Sequence, residues 1–169
     1  KKAWDYHGFL IDPYNSLEKD RDLFRSVGSH EYDYTVCSEF RQFCHLNKVA
    51  LWLTTHAVTE ALRLVHPSNH DYAGFPIAPR MSHAEGGGKF SNRSNFFATV
   101  HRYVQHPMDW MITELHILKI KNTDTGGMPT TLLSPIKMRS LLNNVGYSLE
   151  GKCMKEMIDE YIGKSISKT

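Results

Sequence analysis

Apolar residues along the chain gather into short runs separated by polar stretches, and the spacing inside each run predicts an element. Phe9-Leu10-Ile11 leads straight into Asp12-Pro13. A short unbroken apolar run predicts a strand buried on both faces, as in a parallel sheet, and the proline stops it. Val36, Cys37, Phe40, Phe43, Cys44 and Leu46 recur at helical spacing, predicting a helix over about 31–47 with Ser29 as its cap. Val49 to Thr54 is a second apolar run ending in Thr55-His56. Strand, amphipathic helix and strand together predict a right-handed βαβ crossover with parallel strands. The charged stretch 17–28 before the helix reads as a solvated connection.

Downstream, 59–65 predicts a short helix, and 66–88 is a long segment rich in Pro, Gly, His and Ser. Connections of that length inside a compact domain are commonly functional or disordered. A short helix over 90–95 and a strand over 96–100 follow, the strand ending at His101-Arg102. Alternation over 110–121 predicts a longer strand that projects Lys119 and Lys121 from one face. After a turn at 122–127, residues 131–138 read as an edge strand because of Pro135. A helix over 150–163 has Met154, Met157, Ile158 and Tyr161 on one face.

Composition narrows this only slightly. With 169 residues, 41% hydrophobic and 22% charged, the chain has the profile of one ordinary globular domain. A net charge of +2 is too small to argue for nucleic acid by itself. Cys37, Cys44 and Cys153 show no paired metal-ligand spacing, which fits a reducing cytoplasm rather than a disulfide framework. No apolar run reaches membrane-spanning length, so no membrane partner is expected.

The chemistry centres on strand ends. A carboxylate at the carboxyl end of a buried strand sits where open α/β sheets bind ligands, and in nucleotide-hydrolysing folds it holds Mg²⁺. Asp12 has that placement, although Asp-Pro can equally close a strand as a turn. His56 ends the neighbouring strand and also reads as a hydrogen-bonded structural residue. Arg80, Lys89 and Arg93 form a small basic cluster around Gly86-Gly87-Gly88, and Lys119 with Lys121 reads equally as a solvated edge.

Taken in order, these features resemble the carboxyl-terminal half of the RecA-fold ATPase domain of ring helicases, the DnaB, Twinkle and phage primase–helicase group with RepA-like relatives. The resemblance runs from about residue 8 to 129. It implies an α/β fold with a RecA-like P-loop NTPase core: a mostly parallel sheet flanked by helices, incomplete because the phosphate-loop half lies upstream. Residues 1–138 would be part of that core and 139–169 an extension with a packing helix. Asp12 would correspond to the Walker B residue that positions Mg²⁺ beside ATP. His56 would sense the γ-phosphate and relay to the DNA-binding loop, and Arg102 would pack on the nucleotide base. Gly86, Gly87, Gly88, Lys89 and Asn92, with Arg80 and Arg93, would meet single-stranded DNA. Lys119 and Lys121 would reach a neighbouring subunit's triphosphate within a ring, expected to be a hexamer.

Two departures stand out. Lysine occupies the finger position at 121, so either it acts as a weaker finger or the role lies elsewhere. No GxxxxGK[ST] phosphate loop occurs in the sequence. The resemblance therefore implies an ATP-dependent DNA translocase whose fragment alone is inactive. A non-catalytic binding module is the alternative. A metal-dependent nuclease is weaker still, with Glu60 and Glu85 its partner carboxylates only by elimination.

Overall fold

The computed structural model describes residues 6–85, 88–131, 133–142 and 145–166, and it divides into two compact units where the composition predicts one domain. The first comprises Lys1–Leu64 and Pro79–Phe97, the second Val65–Ala78 and Ala98–Thr169.

In the first unit, strands β1 (Gly8–Ile11) and β2 (Ala50–Leu53) pair in parallel, with Gly8 opposite Ala50 and Ile11 opposite Leu53. Helix α1 (Arg21–Asn47) joins them, completing the predicted crossover. It begins ten residues earlier than the apolar pattern suggests. Asp20 caps its start, its carboxylate accepting the N–H groups of Asp22 at 3.0 Å and Leu23 at 2.9 Å, while the side chain of Ser29, the expected cap, lies outside the described ones. Gly28 interrupts the helix with φ of 76°, a conformation open to a residue without Cβ. That break hides the first two turns from a periodicity search.

The buried face of α1 carries Tyr32, Asp33, Val36, Cys37 and Phe40, while Phe43 and Leu46 of the predicted stripe are exposed. Tyr14, Cys37 and Phe90 form the core, with Val36, Phe40, Leu53 and Phe97 packed against it. Phe90 comes from α3 (Gly88–Arg93); the short α2 (Thr59–Leu62) contributes buried Ala61. Burial alternates along both strands, so the expectation of two covered faces is corrected. Leu10 and Trp52 are opposite one another in the ladder and more than half exposed. An unbroken apolar run asks for two covering layers, and among the described residues the face carrying Leu10 and Trp52 is left largely open, with Phe96 against the Trp52 ring.

The second unit is built on a sheet ordered β3-β4-β5-β6-β7: β3 (Phe96–Arg102), β4 (Ile112–Ile120), β5 (Ile136–Ser140), β6 (Tyr147–Leu149) and β7 (Lys152–Cys153). From β4 to β7 every pairing is antiparallel, which corrects the expectation of a mostly parallel sheet. Parallel neighbours need a crossover of a dozen or more residues, and the links around β6 and β7 are too short for one. Glu150 and Gly151, both at positive φ, make the two-residue turn between β6 and β7, the geometry that matches strand twist.

Strand β5 is interior, not an edge; Pro135 precedes it and owes the ladder no N–H. The turn after β4 contains a single helical turn, α4 (Thr123–Gly126). Helix α5 (Met154–Ile166) closes the chain, with the Glu156 carboxylate accepting the Cys153 N–H at 3.0 Å. Of its predicted packing face, Met157 is half-buried, whereas Ile158 and Tyr161 are exposed; the Met154 side chain lies outside the described ones. All three cysteines are free, and among the described residues no helix is long and apolar enough to cross a membrane.

Candidate functional site

The parallel pair of the first unit brings two strand ends together. Asp12 follows β1 and is exposed; its Oδ1 accepts the hydroxyl of Thr54, which follows β2. Backbone bonds continue the ladder past the strands: the Thr54 N–H donates to the Ile11 carbonyl at 3.0 Å and the Tyr14 N–H to the Thr54 carbonyl at 2.8 Å. This fixes Asp12 beside the segment that carries Thr55 and His56.

Asn15 ties the cluster together. Its Oδ1 accepts the Thr55 hydroxyl at 2.9 Å and the His56 N–H at 3.3 Å, while its Nδ2 donates to the Glu85 carboxylate. An amide oxygen facing two donors and an amide nitrogen facing a carboxylate is the orientation its chemistry requires. The segment 83–85 is held to 56–58 by backbone as well. Glu85 N–H donates to the His56 carbonyl at 2.9 Å, Val58 N–H to the His83 carbonyl at 2.8 Å, and Ala57 bridges Ala84. The arrangement places two carboxylates, Asp12 and Glu85, the His56 imidazole and the hydrogen-bonding side chains of Asn15, Thr54 and Thr55 at the carboxyl end of a parallel strand pair.

Beneath it lies a charged group of a different kind. Asp33 is buried on α1, where it accepts the Tyr14 hydroxyl at 3.0 Å and pairs with Lys89 at 3.6 Å and Lys19 at 4.0 Å. Burial, then the Asp33 charge and hydrogen bond, push the Tyr14 phenol far above its ordinary range. Burial and the same carboxylate raise the Cys37 thiol to about 11, so it is a protonated core side chain and not a nucleophile. Asp33, Tyr14, Asn15 and Glu85 also line a cleft of about 250 Å³.

Of the cations expected to meet DNA, Arg80 is exposed, as is Asn92. Lys89 is only 18% exposed, held by Asp33. The Arg93 guanidinium stacks on Tyr34, 4.0 Å from the ring centroid, and its buried Nε has no hydrogen-bond partner among the described residues. Gly88 opens α3, while Gly86 and Gly87 lie outside the described residues.

Arg102, Lys119 and Lys121 belong to the second unit. Arg102 ends β3 and donates from Nη2 to the Trp110 carbonyl at 3.0 Å; Lys119 is half-buried near the end of β4, and Lys121 follows the strand, exposed. The second unit's own polar centre escapes a sequence reading. Glu114 on β4 is 4% exposed, receives the His116 Nε2–H at 3.1 Å and pairs with Lys137 at 3.6 Å. The Tyr103 hydroxyl lies 3.0 Å from His66 Nε2, and burial together with the nearby Glu114 charge pushes its phenol far above the ordinary range. Burial works to raise the Glu114 carboxyl, but the His116 bond and the charges of His116 and Lys137 hold it below the usual range. Tyr72 stacks on Tyr103 at 4.1 Å and donates to Asp109 at 2.9 Å.

Among the described residues no group of three or more His, Cys, Asp or Glu side chains is arranged to hold a metal. Glu85, the partner considered for a two-metal site, is committed to Asn15. Asp12 fits a different demand: Mg²⁺ is commonly held by one or two carboxylates, with water and substrate phosphate completing its shell.

The fold that carries this strand end is a mixed α/β one. The sequence matches no protein-family profile and no curated relative. Among solved structures, an ATPase domain superposes with a TM-score of 0.61 at 10% identity, over 84% of this chain and 44% of that one. The chain thus spans less than half of that structure, and what the likeness shows is a shared fold.

Proposed function

We propose that the chain is the carboxyl-terminal part of a ring-helicase ATPase domain, an ATP-dependent motor that moves on single-stranded DNA. One observation carries the proposal: Asp12 and His56 lie at adjacent carboxyl ends of a parallel strand pair. Likeness to part of an ATPase domain supports it. In this reading Mg²⁺, when bound with ATP, neutralises charge on the phosphates, and Asp12 orients its water shell. His56 faces the γ-phosphate, its backbone fixed by Asn15. Arg102 contributes to the base, and Lys119 and Lys121 act across a subunit boundary. DNA contact falls to Arg80, Asn92 and residues 86–88, since Lys89 and Arg93 are engaged elsewhere.

The motor needs a phosphate loop, which this sequence does not contain, so polypeptide outside residues 1–169 has to supply it. The test is ATP hydrolysis with and without single-stranded DNA on a protein extended upstream, beside His56→Ala. Stimulation by DNA that the substitution abolishes is expected; equal turnover in both proteins would sink the motor.

A second reading is favoured by the lack of a GxxxxGK[ST] loop in residues 1–169: a RecA-like module that binds nucleic acid or protein without hydrolysis. Salt-sensitive DNA binding with no turnover in the extended protein would select it.

A further inference from the structure

The Asn15–Glu85 contact adds a side-chain tie between segments that backbone pairing already brings near one another. We propose that Asn15 is a positioning residue: with Glu85 it forms a latch that fixes the His56 segment and ties it to residues 83–85, which lead into α3. The proposal rests on the reading of this strand end as the nucleotide site and adds a route by which that site is mechanically joined to the segment before α3.

Three observations carry it. Every hydrogen-bonding atom of the Asn15 side chain amide is used toward a different part of the site: Thr55 and His56 on the oxygen, Glu85 on the nitrogen. Its partners are far away in sequence, separated from it by 40, 41 and 70 positions, so the contacts are made by the fold and not by a local turn. Finally, the segment Asn15 grips is already zipped to 56–58 through Glu85 N–H to His56, Val58 N–H to His83, and the Ala57–Ala84 bridge. His56 and 83–85 therefore move as one piece while the latch is closed. Asn15 is an exposed side chain, and ordinary packing gives no reason for its three bonds.

The donor and acceptor roles can be separated. Asn15→Asp keeps an oxygen for Thr55 and His56 but loses the donor and sets a carboxylate against Glu85. Asn15→Asp with Glu85→Gln restores the contact with donor and acceptor exchanged. Amide hydrogen exchange on residues 1–169 reads the latch directly. In Asn15→Asp the Glu85 and Val58 amides should exchange about five- to tenfold faster, the population change one lost hydrogen bond produces, and return to within about twofold in the double variant. The Thr54 amide, bonded to Ile11, is the control and should not change. Equal exchange in all three proteins, or no recovery in the double variant, would overturn the latch.

Its consequence for the reaction is read in the extended protein. There Asn15→Asp should lower kcat for ATP more than it alters KM, with recovery in the double variant. Unchanged kcat despite a released latch would overturn the positioning role. If no protein hydrolyses ATP while the exchange pattern holds, the latch stands and the nucleotide-site reading falls.

Discussion

Two polar clusters, one in each unit, use their side chains in opposite ways. At the strand ends of the first unit, Asp12, Asn15, His56 and Glu85 are exposed and bonded at the surface, with capacity left for a ligand. In the second unit, Glu114, His116 and Tyr103 are buried, the first two bonded to one another and Tyr103 to His66. A buried polar network is costly to disturb because each orphaned member keeps its desolvation penalty. An exposed cluster costs little to disturb and can serve binding. Polarity alone therefore does not mark a site; the difference lies in where unused hydrogen-bonding capacity meets solvent.

The largest effect should come from Glu114→Ala, which strands the buried His116. Chemical denaturation should show a loss of about 3–5 kcal/mol in the second unit; a loss below about 1 kcal/mol would erase the contrast. Acidification should act next, and on the same unit. Burial, and then His70, hold His66 below its ordinary value, and burial does the same to His101 against the pull of Glu114. Their folded values lie below the unfolded ones, as does that of Glu114. Each contribution is thus complete above the unfolded value and is lost as pH falls through the folded one. Stability of the second unit should start to fall below about pH 6.5 from the histidines and drop further near the carboxylate range. Denaturation midpoints across mildly alkaline to acidic pH, followed by tyrosine signals of the second unit, check this.

Tyr103→Phe removes the hydroxyl bonded to His66 and should cost about 1–2 kcal/mol in the same assay. The smallest effect belongs to the first unit. Asp12→Ala should change stability by no more than about 0.5 kcal/mol, as expected of an exposed side chain. Yet in the extended protein it should abolish DNA-stimulated hydrolysis. A large stability loss there would return Asp12 to the role of a turn residue.

What the sequence made legible follows from how each feature is encoded. Strands β1 to β4 and helix α3 announce themselves through apolar runs and alternation, and the parallel pairing of β1 with β2 follows from the helix between them. The start of α1 was hidden by Gly28. Strands β6 and β7 are too short for a period, and their only local signal is Gly151. The antiparallel direction of the second sheet was masked by expecting a single parallel core. At the site, Asp12 and His56 are visible because each ends an apolar run. Asn15 and Glu85 are not, since their contact spans 70 positions and leaves no pattern in the chain. Lys89 and Arg93 looked like a basic surface because a charge count cannot reveal Asp33 and Tyr34 facing them.

The Glu150–Gly151 turn has a kinetic side. Ser148 meets Cys153 across a short hairpin, whereas Thr54 reaches Asp12 over 42 positions. The second loop is roughly eightfold longer, or about three doublings at about 0.6 kcal/mol of closure entropy each. Local hairpins close within about 1–10 μs, and contacts between distant positions wait for the chain between them to order. Pulse-labelled exchange during refolding should protect the Ser148 and Cys153 region first and the Thr54 amide last. In a refolding chain the strand-end cluster would then acquire its shape after the local hairpin, so that hairpin would form before anything could bind at the strand ends.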